Sequence, residues 1–399
     1  MGLSSDEPRP SLWSDLPAEL AGLILRRLPP SHADRLSFLA VCRQWRLAAQ
    51  QQRGSLPPAL PWLRLGPRTF HSLPGGEVLR LTGWAACTPS KAARTCSFDG
   101  WLLLERGDGT CFLGNPFSGA TVDVPRRLAD DGSAFSVGTL MRKMVVCSPD
   151  LVAATLLGVD VGLCRPGDDT WWASGSSFSR VSRDGWYEDI AFHSGKVYGL
   201  TADEWLVSLQ VADNGDVEVK YEILPQSYSD TDQEAESDSD TDSENTGPED
   251  AEFDPVTDPE EELPSKILYL VASHDKLLMV KWSVPRTGAI AGAAKVIDAI
   301  KLKVFAAELE TGRWVELKNG DLAGQALFVS KGCSRAIHLA GHDQRFRGDR
   351  VYFLGVDLAT CCKEVEIPSY GFYDLRTETV GRVFLNGGRY RFRSEWFFP

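Results

Sequence analysis

Residues 188–223 carry four short β-rich runs, EDIAFH, KVYGL, WLVSLQV and DVEVKYEIL, joined by His193-Ser194-Gly195, Ala202-Asp203-Glu204 and Ala212-Asp213-Asn214-Gly215. β-Branched and aromatic residues punctuated by Gly, Asp and Asn form the pattern of antiparallel strands linked by tight turns. The unit recurs. Gly195-Lys196-Val197-Tyr198 matches His274-Asp275-Lys276-Leu277-Leu278 and Gly348-Asp349-Arg350-Val351-Tyr352, and Gly100-Trp101-Leu102-Leu103 opens a similar unit about two periods earlier. Lys196 and Lys276 stand 80 residues apart, or 44 once a 36-residue acidic stretch between them is subtracted. A period near 45 residues fits the four-stranded blade of an all-β propeller, and about 310 residues then supply roughly six to eight blades. The next interval, 74 residues from Lys276 to Arg350, is not one clean period and leaves the count open.

The first fifty residues obey a different rule. Leu16, Leu20, Ile24 and Leu28 recur every four residues, with Leu23 and Leu25 widening the stripe, which predicts an amphipathic helix. Ser14 or Asp15 can cap it and Pro17 can help start it, since a proline in the first turn costs no internal hydrogen bond. Pro29-Pro30 stops it. Ser31 caps a second helix with Leu36, Leu39 and Ala40 on its apolar side, and a third runs on through Val41, Cys42 and Trp45. Three short helices bury little area alone, so this all-α unit needs a partner for its apolar surface.

The net charge of −13 belongs to one segment. Residues 227–262 hold sixteen of the 55 acidic residues and no Lys or Arg, which leaves 39 acids against 42 bases elsewhere. The remainder is near neutral and lacks the dense basic field that nucleic acid demands, and Arg345, Arg347 and Arg350 read as a solvated rim. The acidic segment has too little apolar content to offset ordering entropy, so an unstructured insert is expected there. Asp238, Asp240, Asp242, Glu244 and Glu249 imitate the spacing of a calcium loop, but Ser243 stands where the sharp turn needs Gly. Ser229, Thr231, Ser237, Ser239, Thr241, Thr246 and Thr257 each have an acid three residues downstream, the pattern an acidophilic kinase reads, and are candidate phosphorylation sites.

Nine scattered cysteines without a CxxC pair read as small buried hydrophobes, as in Thr110-Cys111-Phe112-Leu113, and Cys361-Cys362 lacks the second pair a metal site needs. No disulfide framework, signal peptide or membrane-length apolar run is present, and Asp6 stands where a myristoylation signal wants Ser or Thr. The expectation is an intracellular chain of the cytoplasm and/or nucleus, without a membrane partner. The six histidines form no HExxH pair, and no GxSxG, GxxxxGK[ST] or GxGxxG motif occurs. His342, Asp343 and Arg345 read as polar turn residues, and Asn115-Pro116-Phe117 as a turn. The expectation is a non-enzyme with no catalytic residue, no cofactor and no metal.

Trp13, Leu16-Pro17, Glu19-Leu20, Ile24, Leu28, Val41-Cys42 and Trp45-Arg46 together resemble the F-box, a helical module that docks a Skp-type adaptor and through it a cullin–RING ubiquitin ligase. The resemblance implies that Leu16, Pro17, Leu20, Ile24, Leu28, Val41, Cys42 and Trp45 serve adaptor binding or the small core behind it, without dividing the two roles. From about residue 60 the chain resembles plant F-box proteins with a KIB-type β-propeller (domain of unknown function 295). The phrases that carry it include Asp99-Gly100-Trp101-Leu102, Asn115-Pro116-Phe117-Ser118-Gly119, Arg165-Pro166-Gly167-Asp168 with Trp171, Ala326-Leu327-Phe328-Val329 and Trp396-Phe397-Phe398-Pro399.

The expected organisation is multidomain: a disordered N-terminus at 1–11, a three-helix F-box at 12–54, a linker at 55–66 and a propeller at 67–399 interrupted by the insert at 227–262. The resemblance implies a substrate-recognition subunit of an SCF-type ubiquitin ligase whose propeller binds the target protein. A propeller scaffold or small-ligand binder that uses its helices for assembly remains the alternative.

Overall fold

The computed structural model describes residues 13, 16–28, 31–52, 56, 59–64, 69–73, 78–80, 97–98, 100–106, 110–115, 119–125, 127–128, 141–148, 150–156, 161–173, 187–212, 217–224, 265–284, 301–318, 320–339, 346–354, 370–383 and 395–398. Three helices come first: α1 (Ala18–Arg27), α2 (His32–Val41) and α3 (Arg43–Gln52). Pro17, with φ −52° and ψ 142°, takes the N-cap position of α1 without a side-chain cap, in place of the expected Ser14 or Asp15. Leu28 is extended ahead of Pro29 because a following proline disfavours helical geometry, and α1 ends there. Ser31 caps α2 as its sequence predicts, its Oγ accepting from the Asp34 amide at 3.3 Å. Cys42 is extended and separates α2 from α3, so the third helix begins at Arg43 rather than running through Val41 and Cys42. Ala21, Leu25, Phe38, Trp45 and Ala48 form the small core of this unit.

Twenty-six strands follow among the described residues, in six sheets. They are β1 (Trp62–Arg64), β2 (Thr69–Ser72) and β3 (Val78–Arg80) in blade one, and β4 (Ser97–Phe98), β5 (Trp101–Glu105), β6 (Cys111–Gly114) and β7 (Thr121–Val124) in blade two. Blade three takes β8 (Arg127–Leu128), β9 (Met141–Ser148), β10 (Leu151–Leu156), β11 (Val161–Cys164) and β12 (Thr170–Ala173). Blade four is β13 (Tyr187–His193), β14 (Lys196–Thr201), β15 (Leu206–Val211) and β16 (Val217–Ile223), the four runs read from the sequence. Blade five is β17 (Ser265–Ala272), β18 (Leu277–Val284), β19 (Lys301–Glu308) and β20 (Arg313–Glu316). Blade six holds β21 (Gln325–Val329), β22 (Arg335–His338), β23 (Arg350–Leu354), β24 (Tyr370–Asp374) and β25 (Thr379–Val383). Last, β26 (Glu395–Phe397) pairs antiparallel with β1, Trp62 opposite Phe397, so the two ends of the propeller share one sheet. The expected range of six to eight blades resolves to six. Residues 62–64, assigned above to the linker, belong to blade one, because they carry this closing pairing.

The inner strands form a ring: β26 lies against β4, β4 against β9, β9 against β13, β13 against β17, and β17 against β21 and β22. Strands packed on both faces are buried along most of their length, as in β6, β11 and β14, whereas the outer β16 and β20 keep exposed positions. The repeated motif marks the second strand of its blade in β5, β14 and β18. At β23 it marks the third, because blade six inserts β22 as a hairpin with β21 and then pairs β21 parallel to β23. That extra strand accounts for part of the irregular 74-residue interval, and the 16 residues between the end of β18 and the start of β19 for much of the rest. The hairpin joining β13 to β14 puts Ser194 (φ 48°) and Gly195 (φ 83°) in the left-handed region that a tight two-residue turn demands. Gly199 has no room for a side chain, since a Cβ there would stand 2.5 Å from the Tyr187 ring.

Candidate functional site

The helical unit leaves apolar groups in solvent. Trp13 is 70% exposed, Val41 49%, Leu20 and Leu47 47% and Leu23 46%. The eight residues named from the sequence divide accordingly. Pro17, Leu20 and Val41 are exposed; Leu16, Ile24, Leu28 and Cys42 are half-buried against the small core; Trp45 is buried in it. Trp45 packs on Phe38 with centroids 4.5 Å apart and donates from Nε1 to the Trp13 carbonyl at 3.0 Å, so its role is to hold the unit together. A four-residue repeat explains the division. Each step overshoots a full turn by about 40°, so the four residues spread over about 120° around the helix and do not share one buried line: Leu20 faces solvent while Leu16, Ile24 and Leu28 touch the core. Leu23 and Leu47 were not among the eight; Leu23, three residues after Leu20, was legible from the same helical spacing.

The unit meets blade one at α2. The His32 ring stands edge-on to Trp62 with centroids 5.4 Å apart, and burial together with the neighbouring Arg35 guanidinium lowers its imidazole pKa to about 4.

Charged side chains between inner strands hold the ring. Lys143 Nζ on β9 lies 2.7 Å from Asp189 Oδ1 on β13, with both side chains at most 4% exposed. Asp189 Oδ2 accepts from the Leu270 amide on β17 at 2.7 Å, so one carboxylate ties blades three, four and five. Burial pushes the Asp189 carboxyl up against the pull of Lys143. Lys331, after β21, reaches Glu188 at 2.7 Å and the Leu268 carbonyl at 3.3 Å, and lies over the Tyr269 ring at 5.3 Å. Arg64 on β1 meets Glu395 on β26 at 3.4 Å, and Trp396 Nε1 donates to the Val329 carbonyl at 2.9 Å, joining blade six to blade one. These contacts set strand positions.

Among the described residues no group of three His, Cys, Asp or Glu could hold a metal, and no helix is long and apolar enough to cross a membrane. Cys111, Cys147, Cys164 and Cys333 are buried, and burial raises the thiols of Cys147, to about 12, and of Cys164, which suits packing and opposes reactivity. Asn115 and Gly119 close a turn between β6 and β7, the Gly119 amide donating to the Asn115 carbonyl at 2.9 Å. The seven candidate phosphorylation positions, the calcium-like spacing, the His342-Asp343-Arg345 trio and Cys361-Cys362 lie outside the described residues.

A KIB1-4 β-propeller family model matches residues 70–374, more than half of the chain, and an F-box-like model matches residues 13–53. Two Arabidopsis thaliana proteins named as F-box proteins are similar. At4g22660 is 27% identical over 29% of this chain and 31% of its own length, and At4g22180 is 27% identical over 29% of each. The match therefore spans about a third of the curated relatives. Among solved structures, YCF48 from Cyanidioschyzon merolae superposes with TM-score 0.31 at 10% identity over 67% of this chain and 76% of that one. The Dos1 propeller gives 0.32 at 9% identity over 68% and 66%.

Proposed function

The chain belongs to the KIB1-4 β-propeller family and carries an F-box-like unit ahead of the propeller, and on that premise we propose that it is the substrate-recognition subunit of an SCF-type ubiquitin ligase. The helical unit, 12–54, docks the Skp-type adaptor, and the propeller, from Trp62 onward, selects the target protein. The observation that carries the reading is the exposure of Leu20, Leu23, Val41 and Leu47 on a unit whose own core is already filled by Leu25, Phe38 and Trp45. Solvent-facing leucines on so small a unit gain only by covering with a partner. The chain then contributes no covalent chemistry, since ubiquitin transfer belongs to other subunits.

The test uses exposed positions. Leu16 is half-buried on the core, so its truncation mixes folding with docking, whereas Leu20→Ala with Val41→Ala removes surface alone. Burying a Leu is worth about 1.5–3 kcal/mol, so each substitution should weaken capture of a purified Skp-type adaptor about tenfold and the pair about a hundredfold, with the melting temperature unchanged. Undiminished capture by the folded double variant refutes the adaptor reading.

A further inference from the structure

Blade five presents a lysine face at the end of the propeller where the acidic segment joins it. In the register of β17, β18 and β19, Lys266 stands opposite Ser283 and Ser283 opposite Lys301, while Leu268 stands opposite Lys281 and Lys281 opposite Lys303. Direct cross-strand partners, and residues two apart on one strand, share a face of the sheet. All four lysines therefore lie on one face, the face whose farther positions, Leu270, Met279 and Phe305, pack against blade four.

Among the described residues, two carboxylates answer four ammonium groups. Glu204, in the turn between β14 and β15, receives both Lys266 (3.0 Å) and Lys281 (2.7 Å) on one oxygen, and Glu316 meets Lys303 at 3.0 Å. Lys301 is exposed and Lys303 keeps 54% of its side chain in solvent. The hydrogen-bonded lysines draw the Glu204 carboxyl below its ordinary range in spite of burial. The face thus keeps an excess of positive charge.

The position of this face matters. β17 begins at Ser265, so the chain from 225 to 264 re-enters at the lysine end, while it leaves from the end of β16, where the Glu222 carbonyl lies beside the Gly312 turn of blade five. That stretch contains the sixteen acids of 227–262 with no base among them, and its return point adjoins Lys266. Tethering at both ends gives such a segment an effective concentration in the millimolar range, and the Debye length of about 8 Å at physiological salt spans the gap between neighbouring lysines.

We propose that the Lys266, Lys281, Lys301 and Lys303 face is the docking site, in cis, of the acidic segment 227–262. The seating is electrostatic and tolerates many registers, because the segment repeats its carboxylates throughout. Phosphate at Ser229, Thr231, Ser237, Ser239, Thr241, Thr246 or Thr257 would add about −1.5 to −2 charge each and tighten it, which makes kinase action the means of setting how much positive charge the face offers. The proposal rests on this chain's own residues and does not depend on the adaptor reading.

Zero-length carbodiimide cross-linking of the full chain, mapped by mass spectrometry on the monomer, tests it. Lys266–Glu204, Lys281–Glu204 and Lys303–Glu316 links must form in any case and report a folded face. The expected result is that links from the four lysines to acids of 227–262 dominate at low ionic strength and fall at least tenfold near 1 M salt, where the Debye length is about 3 Å. Lys301→Glu with Lys303→Glu should reduce the links from Lys266 and Lys281 to the segment several-fold while Lys266–Glu204 persists. Links that favour other lysines such as Lys196 or Lys220, links found between chains alone, or an unchanged pattern in the variant would each overturn the proposal.

Discussion

The two parts of this molecule treat apolar surface in opposite ways. In the propeller, Trp171, Trp282, Trp396, Phe70 and Phe328 are fully enclosed, because each blade is a sheet with a neighbour on both faces and the ring closes on itself. In the helical unit, six of the eleven exposed large hydrophobic residues described in the chain fall between residues 13 and 47. Three ten-residue helices have too much surface for their volume to hide their leucines, whereas a closed ring hides nearly all of its own. One part therefore holds its shape through its core, and the other is left with surface for assembly.

The largest expected effect belongs to the ring's closure. Trp396→Ala empties a site lined by Phe328 and Tyr370 and removes the bond to the Val329 carbonyl, so it should cost about 3–5 kcal/mol in chemical denaturation. A loss under about 1 kcal/mol would mean that closure is not what stabilises the propeller.

Next comes the buried ion pair. Lys143→Met leaves Asp189 enclosed without its cation and should cost about 3 kcal/mol or more, because the remaining charge cannot be solvated. The contrast is Lys303→Gln at the exposed pair with Glu316, which should cost less than about 1 kcal/mol. Equal losses in the two variants would contradict the division between buried and surface charge.

The smallest effect lies at the seam between the two parts. His32 has a folded pKa of about 4 against an ordinary 6.5, lowered by burial against Trp62 and by Arg35. Its contribution is intact above about pH 6.5 and is lost as pH falls toward 4, since the unfolded chain takes up the proton first. Thermal melts between pH 7 and 5 should show the helical unit weakening, and His32→Phe should flatten that slope. An identical slope in the variant would remove His32 as its cause.

Much of this architecture was written in the order of residues. Strand runs and turn residues recur at blade spacing from Gly100 to Tyr352, and Ser31, Pro29 and Pro30 mark helix limits by local chemistry that needs no tertiary partner. Three things were not local. The blade count waited on the β21–β22 hairpin, since a sequence period cannot show which strand pairs in parallel with which. The assignment of Trp62–Arg64 to blade one depended on β26, more than three hundred residues away, and such a pairing leaves no short-range pattern. The division of the eight helical residues into surface and core turned on how the three helices pack on one another around Leu25, Phe38 and Trp45, which no single helical period reveals. Residue order thus determined the repeating unit and the kind of module at each end, because those follow from backbone preference and hydrophobic period. Tertiary structure decided the ring's closure, the Lys143–Asp189 pair and the gathering of four lysines on one face, because each depends on which distant strands become neighbours.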